Sequence, residues 1–175
     1  MIKTMEKENI NNKDIAIIGI SFQIPNANNL GEFWDNLKKG RVCTGTFSEQ
    51  RKKDIYDYLN FVNKELKNER GWQGGIDDFD TFDYRFFNFS PTEAELTDPH
   101  QRKFLELAWS AIEDGGYMGK KIKGSNTGIF LGFADYYYSY GRMANDVYPD
   151  KVTFGSPSNL DSVITGRLSH LLDLK

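Results

Sequence analysis

A short apolar run near the start of the chain limits the available folds more than any other feature. Residues 15–20 read Ile-Ala-Ile-Ile-Gly-Ile, without a polar residue and with four β-branched side chains. A strand with one solvated face alternates polar and apolar residues, so this continuous run predicts a strand buried on both faces, as in a parallel sheet. A second run, Thr127 to Phe133, predicts a second buried strand. The chain is therefore expected to have an α/β fold.

The clearest of the predicted helices lies between these two runs. Asp98 can cap it, Pro99 fits its first turn, and Gln101 has the spacing to reach back to the cap. Gly115-Gly116 is its expected end. Its buried stripe is expected to consist of Phe104, Leu107, Ala108, Ala111 and Ile112.

Two further amphipathic helices are predicted, one near each end of the chain. The first follows the loop at 22–29 and stops at Gly40, and its apolar face holds Leu30, Phe33, Trp34 and Leu37. The last ends near Asp173, with Ser158 and Asp161 in capping-box spacing. Its apolar face holds Leu160, Val163, Ile164, Leu168, Leu171 and Leu172. Residues 41–97 are expected to be irregular apart from a partly helical charged stretch, 51–70.

Composition excludes several classes of protein. The 175 residues include 22 Lys and Arg against 25 Asp and Glu, a net charge of −3, so there is no basic excess for binding nucleic acid. No apolar run approaches the roughly 20 residues of a membrane span. Residues 1–13 form a polar tail or linker without the apolar core of a secretion signal. We therefore expect a cytoplasmic protein.

One cysteine and two histidines offer few candidates for catalysis. Cys43 would need a lowered pKa to act as a nucleophile, and Arg41 is the one cation beside it, so we interpret Cys43 as a small buried side chain. His170 lies in the last turn of a predicted helix, where a cation is favoured. His100 lies in a first turn, as a surface or capping residue. The separation of Cys43 from the two histidines along the sequence does not exclude a Cys–His pair in the folded protein.

An aromatic and acidic segment superficially suggests a metal site. Its carboxylates, Asp77, Asp78, Asp80 and Asp83, lack the glycine and the distal glutamate of a calcium-binding loop. The interleaved rings instead predict a segment held to the body of the protein, with carboxylates in turn hydrogen bonds. No glycine-rich phosphate loop follows Gly19, which disfavours nucleotide binding.

A tyrosine cluster at 136–140 is the remaining candidate surface. Its rings could stack on sugars or bases, but tyrosine is more typical of contacts between chains, so we favour an interface.

Six segments, taken in order, resemble the ketosynthase domains of modular polyketide synthases, which belong to the beta-ketoacyl synthases of the thiolase superfamily. Phe79 to Pro91 is similar to the family's FD…FF-I-SP segment, and Asp98 to Tyr117 to its DPQQR…LE…WEALEDAG helix. The other similar segments are 14–25, 33–37, 126–132 and 162–170. The resemblance covers residues 14–175 and is loosest at 45–70.

The resemblance implies a thiolase-like layered α/β sandwich, here its N-terminal portion with an incomplete sheet, and a homodimer of the complete domain. It also implies a decarboxylative Claisen condensation. In this reaction a cysteine accepts an acyl chain from a carrier protein, and two histidines assist decarboxylation of a malonyl-type extender. No cofactor is expected to bind directly, because the phosphopantetheine arm arrives on the acyl carrier protein.

The catalytic residues of that family have no counterpart in this chain. The family's cysteine lies in a DTACSSS-like turn shortly after the segment similar to 166–174, and both histidines follow it, so Cys43, His100 and His170 match none of them. One hypothesis is an N-terminal ketosynthase part that is inactive alone and needs the rest of the domain, in the same or a separate chain. Another is a non-catalytic docking module, and a third is an enzyme acting through Cys43. Under the first, Tyr136, Tyr137 and Tyr138 are expected near the dimer interface or acyl tunnel.

Overall fold

The computed structural model describes residues 14–65, 74–76, 78–133, 140–151, 153 and 159–175. Its main elements are helices joined by loops and two 3₁₀ turns, Gly119–Lys121 and Pro149–Lys151. The helices are α1 (Leu30–Lys38), α2 (Glu49–Phe61), α3 (Pro91–Leu96), α4 (Pro99–Asp114), α5 (Tyr140–Val147) and α6 (Asp161–Leu172).

The hydrophobic core lies between α4 and α6. Leu105 of α4, at 1% exposure, meets Leu168 and Leu172 of α6, and Phe87 and Ile122 complete the buried cluster. Burying a leucine side chain stabilises a fold by about 1.5–3 kcal/mol, so these contacts hold the two helices together. Partly buried side chains surround the cluster: Phe82, Phe89, Phe104, Ala108, Trp109, Ile112, Ile129, Leu171 and Leu174.

Helix α4 confirms its predicted ends and part of its predicted stripe, since Phe104, Ala108 and Ile112 pack against the core. The Asp98 carboxylate accepts a hydrogen bond from the His100 N–H at 2.7 Å, and the helix ends at Gly115. The predicted return of Gln101 to the cap is wrong, because its side chain is buried and its Oε1 accepts no hydrogen bond from any of the described residues. The predicted stripe also omitted Leu105, since the helix is buried over a wider arc than one stripe.

The predicted positions of α1 and α6 are confirmed, but the N-cap of α6 and the exposure of the α1 apolar face differ from the prediction. Gly40 follows α1 with φ +59, and Asp173 ends α6. The predicted capping box of α6 is wrong: Leu160 occupies the N-cap and makes no side-chain hydrogen bond there. Ser158 lies outside the described residues. In α1, three members of the predicted apolar face are exposed: Leu30, Trp34 and Leu37.

The region 41–97 contains two helices: α2 confirms the partly helical stretch predicted at 51–70, and α3 lies where an irregular segment was expected. Ser48 caps α2 by accepting from the Arg51 N–H at 3.2 Å, so this helix starts slightly before the predicted charged stretch. Ser90 caps α3 by accepting from the Glu93 N–H at 3.1 Å. Helix α5 begins at Tyr140, which was expected to be in a loop.

The two predicted strands are not formed as buried strands. Residues 14–20 and 125–133 make no ladder of strand hydrogen bonds, and large apolar side chains in both are exposed. A strand needs a neighbouring segment for its N–H and C=O groups, and none of the described residues pairs with either segment in this way. The prediction that both strands are buried is wrong, because a strand is buried only when neighbouring segments pair with it and cover it.

None of the helices in the described residues has both the length and the apolar character needed to cross a bilayer.

Candidate functional site

The most exposed apolar side chains lie in two segments, 14–20 and 127–133, which we call the open segments. Ile15 is 94% exposed, Ile17 86% and Phe130 98%, and Ile18 and Ile20 are more than half exposed. Single exposed apolar residues are common, but several close together, such as the four isoleucines of 15–20, mark a surface that contacts another molecule. In 127–133, Phe130 is the one large apolar side chain that is exposed. The open segments are therefore the candidate functional site, as an interface.

The first open segment lies directly against the end of α4. A Cβ atom added at Gly19 would meet the Ala111 carbonyl oxygen at 2.2 Å and the Gly115 nitrogen at 2.8 Å. The Ile20 N–H donates to the Asp114 carboxylate at 3.0 Å. Only glycine permits so close a backbone approach. The segment is thus fixed through its backbone, while its isoleucine side chains stay exposed.

The second open segment is fixed through alternate side chains. Ile129 packs on the core, and Leu131 and Phe133 are partly buried. Between them, Phe130 and Gly132 are exposed. This period of two is the pattern of a strand with one face on the core, so the opposite face is free for a second layer.

Polar contacts fix the helices beneath the open segments. Asn159 accepts from the Asp98 N–H and donates to the Leu96 carbonyl, both at 2.7 Å, so it joins α6 to the α3–α4 corner. Arg167 of α6 forms an ion pair with Glu93 of α3 at 2.8 Å. Its guanidinium also lies 4.7 Å from the ring centre of Phe89.

Buried polar side chains at the start of α4 were missed by the sequence analysis. Gln101 and Arg102 are buried, and within the part of the chain that the structure describes Gln101 Oε1 and Arg102 Nε have no hydrogen-bond partner. Leaving a buried polar group unpaired costs about 1–3 kcal/mol. The sequence held no signal for this, because both residue types are usually exposed in a first helical turn.

The sequence-predicted catalytic candidates are not brought together. Cys43 is partly buried and its Sγ lies 3.7 Å from the Arg41 carbonyl. His100 is exposed and its Nδ1 lies 2.9 Å from the Asp98 carboxylate. His170 lies in the last turn of α6, as predicted. Cys43 was expected to be buried and is only partly so, and its structural role stays a prediction.

The aromatic and acidic segment is held by its rings, as predicted. Phe82 stacks on Phe87 at 5.1 Å and meets Phe89 edge-on at 5.3 Å. Asp83 accepts a turn hydrogen bond from the Phe86 N–H at 3.1 Å. In the described residues no three His, Cys, Asp or Glu side chains are grouped to hold a metal ion. Asp77 lies outside the described residues.

An arginine links α2 to the same segment. The Arg51 guanidinium lies between two rings, 4.0 Å from the centre of Phe79 and 5.1 Å from that of Phe47. Burial lowers the pKa of Arg51 from its usual value, and the charges of Asp80 and Asp54 oppose this shift. The side chain remains charged and acts as a structural contact.

The predicted interface tyrosines, Tyr136, Tyr137 and Tyr138, lie outside the described residues, and their placement stays a prediction.

Comparison with known proteins gives the family. Residues 12–175 match the family model described as "Beta-ketoacyl synthase, N-terminal domain". Polyketide synthase PksM of Bacillus subtilis is 36% identical over 166 residues, which are 95% of this chain and 4% of PksM. Polyketide synthase PksN of the same organism is 41% identical over 126 residues, 71% of this chain and 2% of PksN.

Solved structures show the fold. The ketosynthase from module 6 of the Bacillus subtilis bacillaene synthase superposes with a TM-score of 0.63 at 30% identity, over 91% of this chain and 24% of that one. The Streptomyces albus oxazolomycin ketosynthase domain OzmH KS7 gives 0.62 at 27% identity, over 91% of this chain and 27% of that one. The chain thus spans about a quarter of the solved domains.

These matches confirm the thiolase-like fold and the resemblance on which it was predicted. The chain belongs to the beta-ketoacyl synthase family, as an N-terminal portion of a polyketide synthase ketosynthase.

Proposed function

We propose that this chain is the structural N-terminal part of a ketosynthase that catalyses decarboxylative Claisen condensation. The open segments carry the proposal: their apolar side chains are exposed in a chain that spans 24% of a solved ketosynthase. The other three quarters of such a domain would supply the missing neighbours of these segments. The open segments are then the contact between the two parts of one domain.

The proposal assigns no catalytic residue to this chain. Condensation needs a thiolate to accept the acyl group and cationic or hydrogen-bonding groups facing the developing oxyanion. Cys43 and His100 each have a local structural contact instead. The nucleophilic cysteine and the two histidines would come from the remainder of the domain, so this chain alone is expected to be inactive.

The same proposal names the partners of the complete domain. Acyl carrier proteins would deliver the acyl and malonyl groups on phosphopantetheine, which is a carrier of substrate rather than a cofactor held by this chain. A second complete domain would form the homodimer, with Tyr136, Tyr137 and Tyr138 near that interface or the acyl tunnel. What supports these partners is membership of the ketosynthase family.

Co-expression with the segment that supplies the rest of the domain tests the proposal. Mass spectrometry of the carrier-bound products is expected to show condensation by the complex and by neither part. A Cys43→Ala variant should retain full activity and serves as the matched control for the thiol. A purified complex that binds carrier protein without condensing would contradict the proposal.

The packed core between α4 and α6 favours a second candidate function, a non-catalytic docking module. Its buried leucines, Leu105, Leu168 and Leu172, pack with Phe87 and Ile122, and Ile129 is the one residue of the open segments that packs against this cluster. This candidate requires one cooperative thermal transition for the chain alone. It also requires binding to a synthase that is already complete, with no effect on condensation.

A further inference from the structure

Arg102 of α4 carries a buried charge for which the chain supplies no partner. Its side chain is only 8% exposed, and its Nε has no hydrogen-bond partner within the described part of the chain. The ion pairs and ring contacts of the described residues do not include it either. An arginine keeps its charge when it is buried, so this cation is unbalanced.

This combination of burial and isolation sets Arg102 apart from similar side chains. The other arginines whose side chains the structure describes each have a contact partner within the chain: Arg41, Arg51, Arg85 and Arg167. The Nε of Arg167 is also unpaired, but the carboxylate of Glu93 balances its charge at 2.8 Å. Gln101 is buried with an unpaired oxygen, but it is neutral.

The acidic residues one helical turn from Arg102 are already engaged. Side chains four residues apart lie on one face of a helix, so Asp98 and Glu106 are the local candidates for an ion pair. The Asp98 carboxylate accepts from the His100 N–H at 2.7 Å and lies 2.9 Å from the His100 Nδ1. Glu106 pairs with Lys103 at 2.9 Å. The helix itself therefore does not balance the charge of Arg102.

The start of α4 borders the second open segment. The ring of Phe133, the last residue of that segment, meets the His100 ring edge-on with 5.9 Å between the ring centres. Arg102 follows His100 in the first turn of the same helix. Under the proposed function the rest of a ketosynthase domain lies against the open segments, so its side chains come within reach of this turn.

We propose that Arg102 forms a buried ion pair with an aspartate or glutamate of the remainder of the ketosynthase domain, an inference that rests on the proposed function. A buried cation is strongly unfavourable unless an opposite charge accompanies it. The planar guanidinium matches the two oxygens of a carboxylate, whereas a backbone carbonyl would bring no balancing charge. The small part of Arg102 that stays exposed is where the carboxylate would make contact.

The complex of this chain with the rest of the domain, obtained by co-expression, tests the pair. Exchange of isotope-labelled chain into the complex, followed by native mass spectrometry, gives the dissociation rate. Arg102→Met keeps an apolar stem and removes the charge, so it should raise this rate at least about 30-fold, because the carboxylate is left buried and unpaired. Arg85→Met, the same change at an exposed arginine, is the matched control and should alter the rate by less than about twofold.

Neutralising the acidic residues of the remainder one at a time identifies the carboxylate. One such change should raise the dissociation rate as much as Arg102→Met does, and by less than about threefold when Arg102→Met is already present. In the chain without the remainder, Arg102→Met should leave the midpoint of thermal unfolding unchanged or raise it, since no ion pair is lost there.

Three results would overturn this inference and leave the proposed function intact. They are equal dissociation rates for Arg102→Met and Arg85→Met, the absence of any acidic residue coupled to Arg102, and a lower unfolding midpoint for Arg102→Met in the chain alone. Failure of the unchanged chain to form a complex with the remainder would instead overturn the proposed function, and this inference with it.

Discussion

The core between α4 and α6 and the open segments both carry large apolar side chains, yet the most prominent of these have opposite surroundings. Leu105 and Leu168 are buried, whereas Ile17 and Phe130 are almost fully exposed. A helix satisfies its own backbone hydrogen bonds and needs only side-chain contacts, but a strand must share its hydrogen bonds with another segment. The helical core is therefore largely formed by the helices themselves, with Ile129 packing against it, whereas the proposed function requires a partner to cover the open segments.

Truncating one side chain from each region gives the largest expected contrast. Leu105→Ala should lower the free energy of unfolding by about 3 kcal/mol, since it leaves a cavity at a fully buried site. Phe130→Ala should change it by less than about 0.5 kcal/mol, because the ring touches mainly solvent. Urea unfolding of both variants measures the contrast. Similar losses would show that Phe130 is part of the core and would remove the distinction.

Adding one methyl group at Gly19 tests how the first open segment is attached to α4. The new Cβ would lie 2.2 Å from the Ala111 carbonyl, a backbone atom that cannot turn away, so Gly19→Ala should destabilise by about 1–3 kcal/mol. Faster hydrogen exchange at the Ile20 amide should accompany this loss. Gly45→Ala is the control, because nothing lies within 4 Å of its Cβ position. Equal effects of the two changes would contradict this attachment.

The ion pair between α3 and α6 is expected to contribute less. Glu93→Gln should lower stability by about 1 kcal/mol, because Arg167 is mostly buried and keeps its charge. Glu49→Gln is its matched control: its pair with Lys52 is as short but Glu49 is exposed, so a loss of only a few tenths of a kcal/mol is expected. Chemical denaturation that ranks these two variants in the reverse order would contradict the buried role.

The smallest expected effect is at an exposed pair on α1. The hydrogen bond from Lys38 and the charge of Lys39 lower the pKa of Asp35 below its usual 3.8. A lowered folded-state pKa means that this carboxylate stabilises the fold above its usual pKa, and that the contribution disappears as pH falls through the folded-state pKa. Lys38→Ala should raise the pKa of Asp35 in an NMR titration. An unchanged value, as expected for the control Lys53→Ala, would contradict this account.

The sequence predicted helix ends best, because capping residues, prolines and glycines act on the backbone of their immediate neighbours. Asp98, Pro99 and Gly115 mark the ends of α4 through their own backbone chemistry. Ser90, Pro91 and Glu93 carry the same signal for α3, but that helix was missed because the surrounding segment was interpreted as irregular.

The candidate site was less predictable because it depends on contacts between distant residues. The continuous apolar runs predicted two buried strands, and neither strand is formed, because nothing within a run states whether a neighbouring segment will cover it. The close approach of Gly19 to Ala111 also had no sequence signal, since a glycine at the end of a strand is typical of turns. The ordered family motifs, in contrast, predicted the fold that the solved ketosynthases show.

Amide hydrogen exchange of the open segments tests the central claim most directly. It would be measured for residues 14–20 and 127–133 in the chain alone and in its complex with the rest of a ketosynthase domain. The account predicts rapid exchange in the chain alone and protection of at least about 100-fold in the complex, while amides of α4 stay protected in both. Equal protection of the open segments in the two states would contradict it.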